Sequence, residues 1–110
     1  MPATRGLFNA AAFAKMKRGA CLINSARGPL VDEAALIAAL DSGQLGAAAL
    51  DVVASEPLAT DSPLIGRANV ILTPHTAFYS IEALEELQTK CASDVARVLS
   101  GEKPIYLVRL

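Results

Sequence analysis

The chain has 110 residues, 53% of them apolar and 19% charged, and a formal net charge of −1, the make-up of a compact globular protein with one modest core. So balanced a charge gives no field to hold a nucleic-acid backbone, and no apolar run approaches the roughly 20 residues of a membrane span, so neither partner is expected. Met1-Pro2-Ala3-Thr4-Arg5 is not followed by a signal-peptide core, which predicts a cytoplasmic protein with Cys21 and Cys91 as buried, reduced thiols, and no metal-ligand spacing surrounds either of them.

Asn9 reads as the N-cap of a first helix ending near Gly19, with Phe8 and Phe13 at the two staple positions. Ala20-Cys21-Leu22-Ile23 is an unalternated apolar run too short for a helix, which predicts a strand covered on both faces. Asp32 caps a second helix, with Val31 and Leu36 as its staple pair, Leu36, Ala39 and Leu40 along one face, and Ser42-Gly43 as its stop. Gly46-Ala47-Ala48-Ala49-Leu50 is a second strand, although the helix preference of alanine pulls the other way. The loop from Val53 to Ala68 carries Pro57 and Pro63, and a loop of this length is more often functional than idle. Val70-Ile71-Leu72 makes the third strand. Ser80 then caps a long helix whose Leu84, Leu87, Cys91, Val95, Val98 and Leu99 keep helical spacing, closed by Gly101 and Pro104. Strands alternating with helices through right-handed crossovers predict an α/β fold with a small parallel three-stranded sheet.

A residue with chemistry stands just after each apolar run: Arg27 in Asn24-Ser25-Ala26-Arg27-Gly28, Asp51 in Leu50-Asp51-Val52, Glu56 in Glu56-Pro57, and the only histidine in Thr73-Pro74-His75. In an open parallel sheet the ligand crevice lies beyond the carboxyl ends of the strands, so these residues can converge. Each alone has an ordinary structural reading, as an exposed arginine, an aspartate bonding turn amides, a carboxylate opening a proline turn and a packing histidine. Together they make a different set. A guanidinium can donate two parallel hydrogen bonds to a carboxylate, an imidazole exchanges protons near neutral pH, and a neighbouring carboxylate fixes its tautomer.

The ordered motifs Lys15-Met16-Lys17-Arg18-Gly19-Ala20, Ile23-Asn24-Ser25-Ala26-Arg27-Gly28, Val31-Asp32-Glu33-Ala34-Ala35-Leu36, Gly46-Ala47-Ala48-Ala49-Leu50-Asp51-Val52, Glu56-Pro57 and Thr73-Pro74-His75 resemble the NAD-dependent D-isomer-specific 2-hydroxyacid dehydrogenases over nearly the whole chain. His75-Thr76-Ala77-Phe78-Tyr79-Ser80 looks most like the branch containing the C-terminal-binding-protein corepressors and their bacterial dehydrogenase relatives. The resemblance implies that residues 1–110 are the C-terminal portion of a Rossmann-type NAD-binding domain, followed by the helix that leads back toward a substrate domain. It implies Arg27 as the anchor of a 2-hydroxy or 2-oxo acid, His75 as acid/base and Glu56 as its partner. Asp51 would meet the nicotinamide carboxamide, Ser25 and Ala26 the nicotinamide ribose, and Ala77 with Phe78 would line the same cavity; Phe78 reads equally as a core aromatic.

No Gly-x-Gly-x-x-Gly turn occurs, and Gly43-Gln44-Leu45-Gly46 has the wrong spacing and lies between a helix and a strand. The acidic position that selects NAD over NADP is not in the chain either, so both cofactors stay open. Pro2-Ala3-Thr4-Arg5-Gly6-Leu7 looks like the middle of a loop joining two halves of a cofactor domain. The expectation is therefore a fragment of an oxidoreductase acting on the CH-OH group of D-2-hydroxy acids, inactive alone and completed by an N-terminal half. The alternative is a non-catalytic NAD-binding or protein-interaction module of corepressor type, whose unpaired strand edge recruits a partner or a second copy.

Overall fold

A computed structural model of the protein describes residues 4–107. Part of the predicted connecting loop at residues 2–7 lies outside the described residues; its described remainder turns tightly and is tied down by the Gly6 N–H donating to Pro29 O at 2.9 Å. The elements run α1 (Ala10–Ala14), β1 (Ala20–Asn24), a 3-10 turn (Gly28–Leu30), α2 (Glu33–Asp41), β2 (Leu45–Leu50), β3 (Val70–Leu72) and α3 (Ile81–Leu99). They fall into two compact units, Met1–Ala77 and Phe78–Leu110.

In the first unit the three strands are parallel in the order β1-β2-β3. The alanine-rich β2 is the central strand: its small side chains sit in register with Cys21, Leu22 and Ile23 on one side and with Val70 and Ile71 on the other. Pairing on both sides overrides the helix preference of alanine, because burial and ladder bonds outweigh a propensity of a few tenths of a kcal/mol per residue. Helix starts follow the sequence closely. The side chains of Asn9 and Asp32 each accept the backbone N–H three residues on at 3.1 Å, and the rings of Phe8 and Phe13 stack with centroids 6.5 Å apart across the first turn of α1.

Phe13, Leu22, Val31, Leu36, Leu40, Leu45, Ala48, Leu50 and Leu64 form the core on one side of the sheet. Leu64 belongs to the long loop after β2 and is fully buried, so the loop is pinned to the core at its far end. Burial of a leucine of this kind is worth roughly 1.5–3 kcal/mol.

Three expectations are corrected. α1 stops after Ala14, not near Gly19: its last turn tightens through i to i−3 bonds from Lys15 and Met16, and the Gln44 amide donates to the terminal carbonyls of Phe13 and Met16, both at 2.9 Å. β1 is covered on one face only. Leu22 and Asn24 are buried, but Ile23 is 76% exposed, and Ile71, on the same face through Ala49, is 67% exposed. Cys21 and Cys91 are exposed free thiols, not buried ones, because Cys21 lies on that open face and α3 buries no residue.

The second unit is α3 and the chain after it. The Ser80 hydroxyl caps the helix by accepting from the Ala83 N–H at 3.0 Å, and Gly101 ends it in the left-handed conformation at φ 79°. Asp94 accepts the amides of Ile105 and Tyr106, both at 2.9 Å, folding the last described turn back onto the helix. No described helix is long and apolar enough to cross a membrane.

Candidate active site

β1 ends at Asn24, whose buried side chain shapes the turn that follows: Oδ1 accepts the Ala26 N–H and Nδ2 donates to Arg27 O, both at 3.1 Å. Ser25 and Ala26 are exposed at the tip of this turn. Arg27 is exposed as well, with Nη1 donating to Ala26 O at 2.7 Å. Gly28 comes next and is buried against the chain beyond β2; a Cβ added there would lie 1.8 Å from Val53 O. No other residue type fits that contact.

Asp51 follows β2 directly and is 8% exposed. The in-register pairing of Leu50 with Leu72 brings it beside Thr73, whose hydroxyl donates to Asp51 Oδ1 at 2.5 Å. The Thr76 N–H donates to the same oxygen at 2.8 Å and the Ala77 N–H to Oδ2 at 3.0 Å. The Thr73 hydroxyl, and after it the two amides and the charge of a protonated His75, hold the Asp51 carboxyl below the ordinary aspartate range, while burial works in the opposite direction. Asp51 is thus a clasp that closes residues 73–77 around His75. His75 itself has φ 56°, and its N–H donates to both Asp51 O and Thr73 O, at 2.9 and 3.0 Å. A left-handed residue other than glycine costs on the order of 1–3 kcal/mol, and these bonds hold it there.

Glu56 reaches the histidine from the loop after β2: its Oε2 lies 2.8 Å from His75 Nδ1, and its Oε1 accepts the Val53 N–H at 3.2 Å. The bond to His75, and after it the Val53 amide, lowers the Glu56 carboxyl from its ordinary range. Asp51, Val53, Glu56, Pro57, Leu58, Leu72, Thr73, Pro74 and His75 line a cleft of about 430 Å³ beyond the carboxyl ends of β2 and β3.

Of the residues read from sequence, Asp51, Glu56, His75 and Ala77 are thus joined by direct contacts, and Arg27, Ser25 and Ala26 stand at the end of the strand paired with β2. Phe78 belongs to the second unit, is 49% exposed and stacks on Tyr79 with centroids 4.4 Å apart, so it is not a core aromatic. Asn24 and Thr73 set the site's geometry without having been singled out. Asn24 had a signal, a polar residue closing an apolar run; Thr73 had none without the β2–β3 register.

Residues 1–77 match the family described as D-isomer specific 2-hydroxyacid dehydrogenase, NAD binding domain, and this is the span of the first compact unit. The chain is 48% identical over 101 residues to D-3-phosphoglycerate dehydrogenase 2, chloroplastic, of Arabidopsis thaliana, covering 92% of this chain and 16% of that protein. It is 46% identical over 99 residues to glyoxylate/hydroxypyruvate reductase B of Citrobacter koseri, covering 90% and 31%. A D-isomer specific 2-hydroxyacid dehydrogenase from Xanthobacter autotrophicus Py2, solved in complex with NADPH and MES, superposes with a TM-score of 0.89 at 46% identity, covering 99% of this chain and 44% of that one. The chain therefore spans less than half the length of these relatives. The likeness to the corepressor branch is not supported, since these relatives are reductases and dehydrogenases.

Proposed function

Because the chain belongs to the D-isomer specific 2-hydroxyacid dehydrogenase NAD-binding family, we propose that it supplies the acid–base end of a nicotinamide-dependent dehydrogenase for small 2-hydroxy and 2-oxo acids. The contact of Glu56 Oε2 with His75 Nδ1 at 2.8 Å carries this reading. It fixes the ring so that Nε2 is the nitrogen that exchanges a proton with the substrate oxygen. As the carbinol carbon gives up its hydrogen with both electrons, His75 takes the hydroxyl proton and Glu56 balances the imidazolium; in reduction His75 returns the proton to the carbonyl oxygen. Arg27 anchors the acid, its planar fork matching a carboxylate and the adjacent oxygen.

The residues present fit the nicotinamide end of a cofactor. Among the described residues Asp51 Oδ2 takes one bond, from Ala77, and has a second acceptor position suited to a carboxamide N–H, while Ser25 and Ala26 offer exposed backbone and small side chains for a ribose. The bound nicotinamide supplies the two-electron redox chemistry. NAD and NADP are both compatible with this set. Relatives named for glyoxylate and hydroxypyruvate favour acids of two or three carbons, and the exposed thiols of Cys21 and Cys91 suit a reducing compartment such as the cytoplasm.

The test is a titration of NADH and then NADPH into the chain, followed by nicotinamide fluorescence free of tryptophan interference, and then of hydroxypyruvate, followed by the NMR signals of the His75 ring. Saturable cofactor binding and a shifted ring are expected. A ring signal indifferent to saturating cofactor and acid would remove the reading.

A further inference from the structure

Glu33 opens α2, yet it does not cap it: Asp32 does, accepting the Ala35 N–H at 3.1 Å. The Glu33 carboxylate instead reaches 21 residues along the sequence, where its Oε1 accepts the Ala54 N–H at 2.6 Å. A backbone amide donating to a carboxylate belongs to the stronger class of protein hydrogen bonds. Ala54 lies two residues ahead of Glu56, and the preceding amide, Val53, donates to Glu56 Oε1 at 3.2 Å. Consecutive amides of one short segment are thus held by two carboxylates, one fixed to a helix and one facing His75. Val53 is also the residue against which Gly28 packs, with no room for a Cβ between them. The segment is therefore pressed by the Arg27 turn and tethered by α2 before it delivers Glu56 to the histidine.

We propose that Glu33 is a positioning residue for the Glu56–His75 pair, acting through the Val53–Ala54 backbone. The inference rests on the reading of that pair as the acid–base machinery. Without the Glu33 arm the exposed segment would sample positions in which Glu56 no longer meets Nδ1, and the histidine would lose its orienting partner. The charge of Glu33 beside the α2 N-terminus is a separate, smaller contribution to helix stability.

The Glu56 carboxyl reports its own placement, because contact with His75 and the Val53 amide lowers its titration point. We would follow that carboxyl by carbon NMR against pH in the chain without cofactor or acid, in the wild type and in Glu33→Ala, Glu33→Asp and Glu33→Gln. Glu33→Asp keeps the charge at the helix start and shortens the arm by one methylene, so it serves where Glu33→Ala does not fold. Glu33→Ala and Glu33→Asp should move the Glu56 titration up toward the ordinary glutamate range, and Glu33→Gln, which retains an acceptor oxygen, should leave it low. An unmoved titration in folded Glu33→Asp would overturn the proposal. This readout needs no ligand, so a chain that binds neither cofactor nor acid fails the earlier reading and leaves the mechanical link testable.

Discussion

His75 and Glu56 are 19 residues apart in sequence and meet at 2.8 Å, Nδ1 to Oε2, across a cleft walled by Val53, Pro57, Leu58, Leu72 and Pro74. Two separate anchors bring them there. The clasp of Asp51 on Thr73, Thr76 and Ala77 closes the histidine segment, and the loop that carries Glu56 is tied to α2 and, through Leu64, to the core.

In an assay-competent dehydrogenase containing this chain, His75→Asn should lower kcat by about 10²–10⁴, the usual contribution of a positioned acid–base group. Asparagine tolerates the left-handed backbone better than most residues, so the loop is kept while the proton carrier is lost. Equal turnover by wild type and variant would contradict the assigned role.

Arg27→Lys removes a planar fork and keeps a charge. Loss of charge-assisted hydrogen bonds worth about 1.5–3 kcal/mol should raise the KM for the acid roughly 10- to 100-fold. Cofactor affinity, read by nicotinamide fluorescence, should stay as in wild type; a cofactor defect equal to the acid defect would assign Arg27 elsewhere.

Acid should destabilise the first unit through two named groups. Asp51 is held low by the Thr73 hydroxyl and Glu56 by His75, so in the acid range the unfolded chain binds more protons than the folded one. Their stabilisation is complete above the ordinary carboxylate range and is lost as pH falls through the folded-state values. Urea midpoints measured downward from about pH 5 should therefore fall, and Asp51→Asn and Glu56→Gln should flatten the slope. Parallel slopes in all three proteins would exclude these carboxylates as the source.

Thr73→Val removes the strongest donor to Asp51 without changing the side chain's shape. The Asp51 carboxyl should titrate closer to the ordinary aspartate range by carbon NMR, and the amide signals of Thr76 and Ala77 should shift with it. Thr73→Ser keeps a hydroxyl and should restore both.

Gly28→Ala should destabilise by roughly 1–3 kcal/mol, the usual cost of forcing extra volume into a packed contact, because the new methyl meets Val53 backbone that cannot rotate away. Urea unfolding measures the loss. An unchanged midpoint would mean that the Val53 segment is free to withdraw.

The alternation of strands and helices, the caps Asn9, Asp32 and Ser80, and the central β2 are legible in the sequence because each depends on residues within a few positions of one another. Asp51, Glu56 and His75 stand out in the sequence for side-chain chemistry that few residue types share, and contacts join them in the fold; Arg27 stands out in the same way and follows β1. Which strand faces stay open, how Thr73 meets Asp51 and how Glu33 reaches Ala54 depend on strand register and on the path of a long loop. Contacts between segments 20 and more residues apart follow from the folded backbone, and no local pattern encodes them. A one-residue slip in register would turn every side chain of a strand to its other face, so tertiary packing alone decided that the clasp exists.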